Sequence, residues 1–101
     1  MSIPVEDYAH TRDMSWVGDA VLALCAREWI IANESRLEGP RHHLLKDLTS
    51  NQFLACLGNP TEIEAELGVV YTHQGLAAAQ AYFESKMIPI FERQHKNRRK
   101  N

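Results

Sequence analysis

The sequence predicts an all-α protein in which one domain spans residues 1–101. Apolar residues recur every three or four positions over long stretches, which is the period of a helix buried along one face. No stretch alternates apolar and polar residues in the way that a half-buried strand does. Proline and glycine stand where helices are expected to begin and end. We therefore expect four helices, without internal repeats or a linker to a second domain.

The first helix is predicted from about Asp13 to Asn33. Its apolar stripe is wide, so we expect this helix to be buried on most sides. Gly18 lies inside it, where glycine is less favourable than alanine by about 1 kcal/mol, so another element is expected to approach closely. The stripe comprises Met14, Trp16, Val17, Ala20, Val21, Ala23, Leu24, Cys25, Ile30 and Ile31.

Three further helices follow. Pro40 is suited to the first position of the second helix, which is predicted to continue to Gly58. The segment Asn59–Glu62 combines an N-cap residue, a proline at the first helical position and a carboxylate three residues after the cap, so a third helix begins there. The fourth helix follows Gly75, and we expect a kink near Pro89 because proline lacks the N–H that a helix interior needs.

The formal net charge of −2 gives no overall basic signal, but the charge is unevenly distributed. A basic tail begins at about Arg93 and offers two interpretations, a solvated and frayed terminus or a contact for phosphate groups. Cys25 and Cys56 have no CxxC spacing and are interpreted as small buried residues. No signal peptide or membrane span is recognisable, so we expect a soluble, cytoplasmic protein without membrane contact. The tail contains Arg93, Lys96, Arg98, Arg99 and Lys100.

Two acidic residues, Asp19 and Glu64, lie in helical stretches that are otherwise largely apolar. An ionised carboxylate beside a packed core is unfavourable unless it is paired or bound to metal. Ser15 precedes Asp19 by four residues and Thr61 precedes Glu64 by three, so each acid shares a helix face with a hydroxyl. If the two helices pack together, these hard oxygen ligands would suit Mg²⁺, with Mn²⁺ as a substitute.

A structural interpretation of the same acids stays open at this point. Asp19 and Glu64 would then pair with arginines such as Arg12 or Arg27, or line a hydrated helix interface. The other candidate ligands are weaker: none of the five histidines makes a zinc pattern. No other cofactor is indicated. The acids that flank Glu64, which are Glu62 and Glu66, lie roughly on the opposite face of the helix, so we expect them to be exposed.

Four segments, in order, resemble the catalytic domain of the ribonuclease III family. Asp13–Leu22, with its Gly-Asp-Ala sequence, looks like the signature helix of that family. Leu48–Ala55 resembles its Ser-Asn helix start, Glu64–Tyr71 its second acidic helix, and Gly75–Phe83 its closing helix. The resemblance covers most of the chain, from about residue 10 to residue 92.

The pattern of acids is closest to the Mini-ribonuclease III branch. Full-length ribonuclease III has acids where this chain has Ser15 and Thr61, whereas Mini-ribonuclease III also lacks them. The resemblance therefore implies that Asp19 and Glu64 are the catalytic residues and hold Mg²⁺. The chain departs from that branch because only Leu57–Pro60 stands where its basic loop is expected, and no double-stranded-RNA-binding domain follows.

The resemblance also implies a function and an assembly. It implies a Mg²⁺-dependent endoribonuclease that hydrolyses phosphodiester bonds in double-stranded RNA through a metal-activated water. It further implies a ribonuclease III-like homodimer with two-fold symmetry through the signature helix, in which Trp16 takes the place of the aromatic residue that inserts into the partner. The alternative is a catalytically inactive, ribonuclease III-like subunit that binds RNA or serves in assembly.

Overall fold

The computed structural model describes residues 8–100, and within them the side chains of residues 9–96. This part of the chain contains helices and connecting turns but no strand, which confirms the all-α prediction. A single 3₁₀ turn, Glu34–Arg36, follows the first helix. The α-helices are α1 (Tyr8–Asn33), α2 (Arg41–Thr49), α3 (Asn51–Ala55), α4 (Pro60–Gln74), α5 (Leu76–Lys86) and α6 (Ile88–Lys100).

The core is built around α1, which packs against α4, α2 and α5. Trp29 of α1 meets Phe91 of α6 edge to face at 5.6 Å between ring centroids, and Phe53 of α3 approaches the same ring at 6.3 Å. Aromatic pairs prefer this geometry because the ring edge is positive and the ring face negative. Trp29 is a core residue, and its side chain is 5% exposed.

The predicted second helix is divided in two. It was expected to run unbroken from Pro40 to Gly58, but Ser50 adopts an extended backbone conformation between α2 and α3. The side-chain oxygen of Ser50 accepts a hydrogen bond from the backbone N–H of Phe53 at 3.1 Å and so caps α3. The hydrogen bond from the capping serine favours a new helix start at this point. Its effect on the backbone is stronger than the tendency of the continuous apolar period to extend α2.

The predicted fourth helix is also divided, at Met87, and α6 begins at Ile88. Pro89 lies in the first turn of α6, and Met87 keeps a helical backbone conformation, so the interruption falls near the predicted kink. The first turn of a helix has no internal acceptors for its N–H groups, so the N–H that proline lacks is not needed there. The predicted third helix is confirmed as α4, with the Asn59 side chain accepting from the N–H of Glu62 at 3.1 Å.

The expectation that α1 is buried on most sides is wrong. The helix starts earlier than predicted, at Tyr8, and one of its faces carries apolar residues that no other described element covers. Trp16 is 81% exposed, Ile31 60% and Leu24 41%. We call these residues, together with the exposed Ala20, the α1 stripe. The packing helices cover the opposite sides of α1, which sequence periodicity alone does not reveal.

The expectations about the two cysteines have opposite outcomes. Cys25 is buried, and burial raises the pKa of its thiol to about 11, as expected for a small core residue. Cys56 is exposed, which contradicts its predicted burial. The backbone of the basic tail is helical as far as Lys100. Within the described residues, no helix has the length and apolar character needed to cross a membrane.

Candidate metal centre

Two glycines allow α1 and α4 to touch backbone to backbone. A Cβ atom added to Gly18 would lie 1.7 Å from the carbonyl oxygen of Glu64, and one added to Gly68 would lie 2.1 Å from that of Met14. Neither distance is compatible with a side chain, so only glycine fits at either position. The predicted close approach to Gly18 is confirmed. Gly68 escaped the sequence analysis, although a glycine inside the apolar run of α4 is the same kind of signal.

This crossing brings Asp19 and Glu64 together. Asp19 follows Gly18 directly, and Glu64 lies one turn before Gly68 on α4. The two carboxyl groups are within hydrogen-bonding contact of each other. Asp19 is exposed and Glu64 is half-buried, so the pair lies at the surface end of the helix interface. The meeting of the two acids across a helix pair therefore occurs, while their catalytic role stays a prediction.

The electrostatics of the pair show how unfavourable two negative charges are at this place. Partial burial, followed by the hydrogen bond to Asp19 and its charge, raises the pKa of Glu64 to about 7. Desolvation and a neighbouring like charge both favour the protonated form of a carboxyl group. Glu64 therefore keeps its proton at pH values at which an ordinary carboxyl group is fully ionised. A cation placed between the oxygens would replace that proton.

The alternative in which arginines pair with these acids is not found among the side chains that the structure describes. Arg27 donates a hydrogen bond to the carbonyl oxygen of Ala23 at 3.1 Å. The ion pairs in the described region lie elsewhere, with Arg36 bound to Glu92 at 2.6 Å and Arg41 to Glu34 at 2.7 Å. The acid pair has no Lys, Arg or His partner within ion-pair distance in this region.

The donor set fits a hard divalent cation that leaves positions for water and phosphate. Ser15 is half-buried one turn before Asp19, and Thr61 is exposed in the first turn of α4. Residues 9–96 contain no cluster of three or more His, Cys, Asp or Glu side chains suited to a metal. Mg²⁺ often binds through only one or two carboxylates and completes its shell with waters and substrate phosphates. Asp19 and Glu64 meet that requirement.

The neighbouring acids on α4 do not join the pair. Glu62 and Glu66 are exposed, as predicted. Glu66 instead accepts a hydrogen bond from the Tyr82 hydroxyl at 2.5 Å, which links α4 to α5. Nothing in the sequence indicated Tyr82 as a partner, because its contact depends on how α5 folds back onto α4.

A groove lies beside the α1 stripe, between the second half of α1 and the start of α2. It has a volume of about 270 Å³, and its walls combine aliphatic and cationic side chains. We call it the α1–α2 groove. It is lined by Arg27, Ile30, Ile31, Arg41, His42 and Leu45.

No protein-family model, curated protein or solved structure matches the chain. The function proposed below therefore depends on the geometry of these residues together with the resemblance of the sequence motifs.

Proposed function

We propose that this chain is a metal-dependent endoribonuclease that hydrolyses phosphodiester bonds in double-stranded RNA and acts as a two-fold dimer. One observation carries the proposal: the carboxyl groups of Asp19 and Glu64 meet at the glycine crossing without a cationic side chain between them in the described region. These are the two acids that the resemblance to Mini-ribonuclease III singles out.

The two acids have different surroundings and hence different roles. Glu64 is half-buried, and its own backbone is held against Gly18, so its carboxylate would fix the position of the ion. Asp19 is exposed and would hold the ion where a phosphate group can reach it. A bound Mg²⁺ supplies an activated water and offsets negative charge on the phosphodiester. Mn²⁺, which also prefers oxygen ligands, would substitute.

The spacing of the α1 stripe supports a two-fold dimer. Trp16 and Ile31 lie at equal distances from the midpoint between Ala23 and Leu24, and so do Ala20 and Arg27. Two antiparallel copies of α1 would therefore place Trp16 of one subunit opposite Ile31 of the other. Ile31 lines the α1–α2 groove. The groove can thus receive the partner's indole ring.

The groove has the chemistry to bind an indole. Its aliphatic walls would bury the ring, and an arginine guanidinium such as that of Arg27 can stack on the ring face. Asp19 lies about 60° around the helix axis from Trp16, so it stands at the edge of the proposed interface. The two acid pairs of a dimer would then lie along one surface, where the two strands of a duplex can each meet one pair.

A second candidate function is a non-catalytic ribonuclease III-like subunit that binds RNA or serves in assembly. The observation that favours it is the small ligand set, because Ser15 and Thr61 supply hydroxyls where four-acid enzymes have carboxylates. Such a subunit would keep the helix crossing and the dimer surface but would not cleave RNA.

The test is cleavage of an end-labelled RNA duplex by the purified chain in Mg²⁺, with Asp19→Asn and Glu64→Gln as the site variants. We expect each variant to lose at least about 100-fold in rate, because a single remaining carboxylate holds the ion poorly. Glu62→Gln is the matched control, since it removes the same charge from the exposed face of the same helix. It should cleave at the wild-type rate.

Circular dichroism and light scattering would establish that all three variants keep the fold and the oligomeric state. Cleavage that persists in Asp19→Asn or Glu64→Gln would remove these residues from the mechanism. A wild-type chain that binds the duplex but never cuts it would favour the non-catalytic subunit.

A further inference from the structure

The positive charge of this protein is concentrated in its last nine residues. Residues 93–101 contain five of the eleven lysines and arginines and none of the thirteen acids, so they carry +5 while residues 1–92 carry −7. The backbone of the segment is helical through Lys100 as part of α6. We call residues 93–100 the basic arm.

The structure anchors the basic arm by its beginning. Phe91 is fully buried against Trp29, and Glu92 is held by Arg36 at 2.6 Å. Arg36 therefore already forms an ion pair with Glu92, the acid that precedes the arm. Beyond it, Arg93 and Lys96 are exposed, and neither takes part in an ion pair with another side chain of residues 9–96.

Packing explains only part of the composition of the arm. Gln94 donates a hydrogen bond to Cys56 Sγ at 3.4 Å and His95 stacks on Phe91 at 5.5 Å, whereas the cations Arg93 and Lys96 are exposed. Phe91 is the last apolar residue of the chain. Like charges three and four residues apart, such as Lys96 with Arg93 and with Lys100, destabilise a helix. Cations near a helix C-terminus gain some stabilisation from the helix dipole, but that effect is confined to the last turn. A polyanion would relieve the repulsion along the whole arm.

We propose that the basic arm binds the phosphate backbone of double-stranded RNA and contributes to the affinity for the duplex. The choice of RNA rests on the proposed function. Among polyanions, the arm favours nucleic acid over a lipid surface, because a membrane-bound helix needs an apolar face and this segment has no apolar residue.

The arm is joined to the helix that carries the acid pair. Its anchor packs on Trp29, ten residues after Asp19 on α1, which corresponds to roughly 15 Å along the helix axis. A duplex held by the arm would therefore pass close to the same subunit's acids or, in the proposed dimer, to those of the partner. Contacts to phosphate orient a nucleic acid without reading its sequence.

The test compares two double variants of the full chain, which remove the same charge from different places. Lys96→Gln/Lys100→Gln alters the arm, and Lys46→Gln/Lys86→Gln alters exposed lysines outside it. Binding to a fluorescently labelled RNA duplex of roughly 25 base pairs, longer than the ~16 that a dsRNA-binding domain spans, is measured by anisotropy. The measurements are made in EDTA over about 0.05–0.2 M NaCl, so that the acid pair plays no part.

We expect the arm variant to bind on the order of tenfold more weakly, and the slope of log K against log salt to fall by about 1–2. The control variant should keep at least most of the wild-type affinity and slope. Equal losses in the two variants would overturn the proposal, because net charge alone would then explain binding. Undetectable binding by the wild type would overturn it as well, as would lysine-dependent binding to phosphatidylserine vesicles in place of RNA.

This outcome is separable from that of the nuclease test. Arm-dependent binding without any cleavage would leave the arm proposal standing and reject the catalytic one. If the arm variant cleaves RNA at the wild-type rate and binds the duplex with the wild-type affinity, the arm proposal is rejected and the catalytic one stands.

Discussion

Glu64 is the residue whose chemistry depends most directly on the helix crossing. In the unfolded chain its carboxyl group would titrate near the ordinary value of 4.5, whereas in the folded protein its pKa is about 7. Between these two pH values the folded state holds a proton that the unfolded state has released. By linkage, the free energy of unfolding of the metal-free protein then falls as pH rises through this window. Well above pH 7 both states are ionised at Glu64 and the loss is complete.

Glu64→Gln should therefore stabilise the metal-free protein at pH 8, by on the order of 1 kcal/mol after allowance for solvent screening. At pH 4 the difference from wild type should vanish, because the wild-type side chain is then neutral too. Urea unfolding in EDTA at the two pH values measures it, with Glu62→Gln as the exposed control. A variant that is less stable than wild type at pH 8 would contradict the raised pKa.

Mn²⁺ should make the folded protein more stable at the pH values at which ionised Glu64 makes it less stable. A cation that binds the ionised pair stabilises the folded state and displaces the shared proton, so its effect should grow as pH rises through 7. Thermal unfolding of the wild type with and without millimolar Mn²⁺ at pH 6 and pH 8 tests this. We expect a larger upward shift of Tm at pH 8 and almost none in Asp19→Asn. Equal shifts in the wild type and Asp19→Asn would place the ion elsewhere.

At the scale of elements, the contact between α1 and α4 decides the geometry of the site. Gly18 and Gly68 remove the side chains that would hold the two helices apart, and this lets a carboxylate from each helix reach the other. A wider separation would leave Asp19 and Glu64 as two independent surface acids. The crossing thus links the packing of the core to the electrostatics of the pair.

Gly18→Ala should destabilise the protein by about 3 kcal/mol, because the added methyl would collide with a backbone carbonyl that cannot move aside without displacing α4. The sign of the change in the free energy of unfolding is diagnostic, because alanine by itself favours a helix over glycine by about 1 kcal/mol. Urea unfolding measures the change. A variant as stable as wild type, or more stable, would show that the two backbones are not in contact at this point.

At the scale of the whole molecule, the exposed stripe on α1 is the least expected feature. A tryptophan that is 81% exposed on a helix face leaves a large apolar area in water. The matching α1–α2 groove lies on the same helix at the symmetry-related position. A second copy of the chain would cover both features at once.

Trp16→Ala should convert a dimer into a monomer of 11.5 kDa, as measured by size-exclusion chromatography with light scattering. The reason is that the variant removes the side chain proposed to fill the partner's groove, on both sides of the interface. Tyr71→Ala is the matched control, because it truncates an exposed aromatic residue on α4, outside the stripe. Dissociation caused by Tyr71→Ala alone would move the interface to that side of the molecule.

Local signals along the chain were enough to predict the helical class and several local features. Helical periodicity and capping act over a few residues, so the start of α4 at Asn59 and the special position of Gly18 could be predicted. The same local signals placed Asp19 and Glu64 on helices with apolar surroundings. The apolar period did not show the break at Ser50, because it looked continuous there, whereas the resemblance of Leu48–Ala55 to a Ser-Asn helix start pointed to it.

Long-range packing alone brings Asp19 and Glu64 together. They are 45 residues apart in sequence, and their contact depends on the register in which α1 crosses α4, which Gly68 helps to set. It also decided that Trp16 points away from the core. A period of 3.6 residues shows which residues share a face, but whether a face meets another helix, solvent or a second subunit depends on contacts between distant parts of the chain.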